Sequence, residues 1–291
     1  MKIFSTTKIP EWDFIKLGCF IILYLILFIP LLIAIVREFQ IVEQEQIQVS
    51  IMSGSGLAMV IWLGTISLLY LLLWCLGKAG FKVNHKTSAQ HRDDLLRMLY
   101  YGIVMASLGG VAGRIDNQNN RPYFPVVVAY YCIVFAAMFE LVRDYNIQLS
   151  TTTATVNVAA NVTKSVVSGI VVVSGVAICM LVIASHVYSA FRVPNREFLT
   201  LYANLVIGCL VVHAILFLPM GIRSTASIHV HHWYWSLPLA HMCIFNTDVS
   251  MISQAMFLGI HIHGVSCFGI EQIFYDSIGN TIMPARAGTI P

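Results

Sequence analysis

Ten histidines occur in this 291-residue chain, and His229, His231, His232, His241, His261 and His263 crowd into one stretch near its C-terminal end. Imidazole is costly to bury without partners, so a dense set inside apolar sequence needs a chemical reason. Three are open. Neutral imidazoles meeting at one depth suit Zn, Cu or Fe, and the candidate ligands are His213, His231, His232 and His263, with Gln254 or Asn204 behind them. Paired imidazoles on facing helices suit b-type haem, and His186/His241 and His213/His263 would place one haem in each leaflet. The third is a seam of hydrogen-bonded histidines that holds helices together and binds no cofactor. No catalytic residue is assigned, since no G-x-S-x-G elbow occurs and H-x-H-H departs from the H-x-x-H-H spacing of membrane hydroxylases and desaturases.

The elements that must position these residues are membrane helices. Of the residues, 58% are apolar and 11% charged, against about 45–50% and about 25% in a soluble domain. This is too little charge to cover a soluble surface. A bilayer core of about 30 Å needs about 20 mainly apolar residues per helix. Such stretches fall near 14–36, 54–76, 98–112, 125–142, 166–190 and 198–220, with two weaker ones at 229–245 and 251–274. The expected fold is therefore all-α, a multi-pass transmembrane bundle of about eight helices in a single membrane domain over 1–291. The first stretch is too long for a signal-peptide core and reads as a retained helix. Pro30 and Pro238 should kink their helices unless neighbours satisfy the freed carbonyls.

Depth follows from residue counts. A turn at Asn246-Thr247-Asp248 closes the last hairpin, because Asn and Asp favour tight turns. Residues whose numbers sum to about 495 then lie level, at a rise of about 1.5 Å per residue. This sets His232 opposite His263, and His241 opposite Gln254. An inner layer gathers His213, His231 or His232, and His261 or His263, while His186 and His241 form an outer layer. Residues two apart on a helix point to nearly opposite faces, so only one of His261 and His263 can join a given site. The polar hairpin should lie inside the bundle.

Lys and Arg set the orientation. With both termini cytoplasmic, inner segments hold 12 of these residues and outer loops hold Arg37, Arg114, Arg121, Arg192 and Arg196. The basic stretch 78–97 then reads as a solvated cytoplasmic loop, and Glu140 and Glu271 as interfacial. A formal net charge of +3 makes no basic face, so nucleic acid is not an expected partner. The bilayer is, and other membrane subunits are admitted. Seven cysteines without a C-x-x-C pair read as small core residues. A retinal protein is excluded, because no Lys follows Lys164.

The run Ile228-His229-Val230-His231-His232-Trp233, followed by Ser250, Gln254-Ala255, Gly259-Ile260, His263-Gly264-Val265 and Gly269, resembles the C-terminal membrane region of fungal LCCL-domain proteins. The likeness covers about 50 residues, and the LCCL domain itself does not occur here. It implies a multi-pass membrane protein and no particular activity. His231 and His232 match that pattern, whereas Asn often stands at the position of His263 and His241 has no counterpart.

Overall fold

A computed structural model describes residues 11–40, 54–81, 83–117, 123–142, 162–193, 199–200, 202–204, 206–208, 211, 226–228, 232–270 and 274–276. The fold is an all-α helical bundle. Among the described residues its helices include α1 (Glu11–Gln40), α2 (Gly56–Lys78), α3 (Ser88–Ser107), α4 (Val111–Asp116), α5 (Tyr123–Val142), α6 (Val162–Arg192), α7 (His232–Met242) and α8 (Asp248–Phe268). Two three-residue strands, Ala226–Ile228 and Phe274–Asp276, pair antiparallel and tie the approach to α7 to the exit from α8.

Four of these helices are long and apolar enough to cross a membrane: α1, α2, α5 and α8. They are not equivalent. In α8, 78% of the apolar window is buried inside the protein, against 28% in α1 and α2 and 33% in α5. The most polar of these four is therefore the axis of the bundle, and α1, α2, α3, α5, α6 and α7 all pack on it. The more uniformly apolar helices turn outward, exposing Leu68, Val60 and Val126 among others. That inversion is what lipid demands, since a polar side chain facing hydrocarbon has no partner.

Local chemistry explains the boundaries. Thr247 caps α8, its Oγ accepting from Ser250 N–H at 3.3 Å, at the turn expected there. Ser55 caps α2, accepting from Ala58 N–H at 3.2 Å. Thr87 and Gln90 form a reciprocal capping box at the start of α3, each satisfying a backbone donor that the first turn leaves over. Pro30 and Pro238 lie within α1 and α7.

Two stretches differ from expectation. Instead of one helix near 98–112, α3 begins ten residues earlier and stops at Ser107. The chain then turns through Gly110, at a left-handed φ of +70° that favours glycine, before the short α4. Residues 88–97, expected as a solvated loop, are the opening turns of α3. The 11 residues of α7 reach about 16 Å, roughly half the hydrocarbon thickness.

Close approach holds α5 to α8. A Cβ on Gly259 would sit 2.7 Å from the Cys132 backbone nitrogen and 3.0 Å from the Tyr131 Cβ. On the other side Gly102 lets α3 meet α2, where Trp62 Nε1–H donates to the Gly102 carbonyl at 3.0 Å. Cys132, Cys243 and Cys267 are buried among apolar side chains, as expected, whereas Cys19 and Cys75 are exposed on the outer faces of α1 and α2 and are not core residues.

Candidate functional site

Polar chemistry concentrates at the two ends of α8. At its N-terminal end stands Arg114, brought in by α4 and only 1% exposed. Its Nε–H donates to Gln254 Oε1 at 2.7 Å. Its Nη2 donates to the carbonyls of Cys243 at 2.9 Å and Phe245 at 2.7 Å, and to Ser250 Oγ at 3.2 Å. Nη1 makes no hydrogen bond, and the guanidinium carbon lies 5.9 Å from the centre of the Phe124 ring. Among the described residues, no carboxylate oxygen comes within salt-bridge distance of this cation. Its compensation is the carbonyl oxygens of Cys243 and Phe245, in the segment just past α7, which carry partial negative charge.

Gln254 completes the arrangement. Its Nε2 hydrogens go to the carbonyls of Gly109 at 2.6 Å and Ala240 at 3.1 Å. One amide thus joins the α3–α4 turn, the last turn of α7 and the Arg114 side chain.

His186 enters from α6. Its Nδ1 lies 2.7 Å from the Val182 carbonyl and its Nε2 3.2 Å from Ser250 Oγ. A carbonyl only accepts, so Nδ1 carries the proton and Nε2 of the neutral ring accepts from the Ser250 hydroxyl. Ser250 Oγ in turn accepts from Phe245 N–H at 3.1 Å and from Arg114. One donor and two acceptors are all a hydroxyl has, and all three are used. A serine beside an imidazole is also the start of a nucleophilic site. Here both lone pairs of the hydroxyl are committed, which argues for structure. Nearby, Ser189 donates to the buried Glu38 at 2.8 Å, linking α6 to α1.

The C-terminal end of α8 is finished by the segment before α3. Lys86 Nζ donates to the carbonyls of Val265 at 2.8 Å and Ser266 at 2.9 Å, and pairs with Asp94 at 3.1 Å. Asn84 donates through its backbone N–H to Cys267 O at 2.8 Å and through its side chain to Phe268 O at 3.2 Å. Asp94 Oδ1 accepts from Ile270 N–H at 3.3 Å. All four carbonyls that the last turn leaves over are thus met, two of them by a cation, where the helix dipole favours positive charge. Beside this clasp, Tyr70 Oη lies 2.8 Å from His91 Nδ1. Burial, then the nearby Lys86 ammonium, holds the His91 imidazole below its ordinary value.

The expected histidine layers can now be placed. His261 packs edge-on to Tyr101 at 6.0 Å and borders a cavity of about 10 Å³ lined also by Trp62, Gly102 and Leu258. His263 faces the other way, against Phe135 at 5.2 Å and Phe139 at 5.5 Å. The two-apart argument therefore holds. His241 is partly buried, with Nδ1 2.9 Å from its own helix's Leu237 carbonyl. Gln254 is central, as a partner of Arg114, whereas Asn204 is exposed. His213 and His231 lie outside the described residues, as does the side chain of His232, so the expected approach of His232 to His263 lies outside them too. Among the described residues, no three His, Cys, Asp or Glu side chains gather as a metal site would require.

Arg114, Lys86 and Asp94 were expected in solvated loops and are instead buried. Four of their partners are backbone carbonyls far away in sequence, which leave no residue-type signature. The available signal was the helix ends, since α7 and α8 must each lose four carbonyls to something. No protein family, no curated protein and no solved structure matches the chain.

Proposed function

We propose that this integral membrane protein is a noncatalytic structural subunit of a larger membrane assembly. In this reading the histidines and neighbouring polar residues of the last helices are a hydrogen-bonded packing seam, in preference to a Zn, Cu, Fe or haem centre. The observation that carries it is the commitment of His186 and Ser250: each is bonded on every side by the protein's own groups. A ligand of haem or metal at His186 would displace the Ser250 hydroxyl. His261 and His263 diverge toward different aromatic neighbours, which argues against one centre shared by both. The resemblance of the last hairpin to fungal LCCL-domain membrane regions fits it, because that likeness carries no catalytic signature.

The assembly is inferred from α6. Among its described side chains, Ser189 bonds Glu38 of α1 and His186 bonds Ser250 of α8. Val173, Met180, Ile183, Val187 and Phe191 of the same helix are exposed, apolar surface that lipid or a partner helix would cover. The orientation with both termini cytoplasmic belongs to this proposal. The test is extraction of the full chain from its native membrane in mild detergent, followed by native mass spectrometry. A stable complex with another polypeptide is expected, and a lone chain under all mild conditions overturns the subunit reading.

A further inference from the structure

The junction of α2 and α3 carries a cationic patch at the edge of the apolar belt, and we infer that it binds the headgroup of an anionic phospholipid. Two exposed cations define it: Lys78 at the end of α2, and Arg92 in the second turn of α3. Ring contacts show that the two helices present one surface here. Lys78 Nζ lies 5.8 Å from the centre of the Trp74 ring, and that ring meets His91, the neighbour of Arg92, edge-on at 6.2 Å.

The acids of this region do not cancel the charge. Asp94 is buried and paired with Lys86. Asp93 meets Arg92 at 3.6 Å, a loose pair with most of the arginine side chain in the open. Such exposed pairs hold little energy, so the guanidinium remains available to a phosphate.

The exposed stripe of α3 also changes character along its length. Arg92 is followed at helical spacing by Leu96, Tyr100 and Ile103, all exposed. A cation at the start and apolar or aromatic groups beyond it match the passage from headgroups to hydrocarbon. With Trp74 partly exposed beside Lys78, the patch has both parts that a lipid needs, phosphate-binding charge and an apolar wall for the acyl chain. Charge complementarity therefore commits it to an anionic lipid, in preference to a zwitterionic one.

Native mass spectrometry of the full chain in detergent, with added phosphatidylglycerol or phosphatidylcholine, tests this. The wild type should retain phosphatidylglycerol in preference, and each of Lys78→Gln and Arg92→Gln should lower that preference by about two- to fivefold. The double variant should show none, with an unchanged melting temperature, because both side chains are exposed. Arg37→Gln, at the far end of α1, should leave the preference intact. Equal retention of the two lipids by the wild type overturns the inference, as does a preference that survives the double variant. Competition by millimolar inorganic phosphate, which marks a free-anion site, overturns it as well.

Discussion

Arg114 is a buried cation whose charge is met by carbonyl oxygens and an amide, with no carboxylate nearby among the described residues. Removing it leaves the Gln254 oxygen and the Cys243 and Phe245 carbonyls short of a donor. Arg114→Met should therefore lower unfolding stability by about 2–4 kcal/mol, measured by denaturant titration in detergent. Arg114→Lys should restore less than half, since an ammonium cannot reproduce the fork that reaches Gln254 and two carbonyls together. A methionine variant as stable as the wild type would show that the network contributes nothing. His91 gives a pH test at the other end of α8. Its imidazole is harder to protonate in the folded chain than at the ordinary value of 6.5, through burial and then Lys86. As pH falls, the unfolded chain takes up that proton first. Stability from this group is thus full above about pH 6.5 and falls away below it, until the folded ring also titrates. The melting temperature in detergent should drop between about pH 7 and pH 5, and His91→Gln should remove that part of the drop. An identical pH profile in the variant would rule His91 out as its source.

Helices here are joined by close approach and by their ends. Gly259 sits where α8 touches the backbone of α5. Gly259→Ala has to push the two apart and should cost about 1–3 kcal/mol by thermal unfolding in detergent; full stability would mean that the contact yields freely. Ser55 caps α2 and also bonds Asp116 at the end of α4, through its hydroxyl at 2.7 Å and through its backbone N–H. Ser55→Ala keeps the backbone bond and loses the others, so about 1 kcal/mol is expected, and Asp116→Ala should cost more. At this scale the sequence was informative where pattern and turn chemistry agree. The apolar runs located α1, α2, α5 and α8, Asn246-Thr247-Asp248 located the last turn, and the polar content of α8 indicated an interior helix. It was uninformative where backbone atoms are the partners. Nothing near Arg114 or Lys86 in the chain signals the carbonyls of Cys243, Phe245, Val265 and Ser266, because any residue type supplies a carbonyl. Residues 88–97 misled for a related reason, since their charges suggest solvent while Asp94 is neutralised by Lys86 inside the protein.

For the whole molecule, the helices that border lipid surround a polar axis, and the cations at its two ends arrive from either side of α3, Lys86 before it and Arg114 after it. Arg114 fastens the end of α7 beside the start of α8, and Lys86 fastens the end of α8. The final hairpin is thus held at top and bottom, with its described histidines packed between. We propose that this seam is structural and holds no cofactor. The direct measurement is elemental analysis combined with an absorption spectrum, on full-length protein purified from its native membrane without chelator. No Soret band is expected, and Zn, Cu and Fe should each fall far below one per chain. A Soret band, or one metal per chain that is lost in both His232→Ala and His263→Ala and kept in His85→Ala, would contradict it.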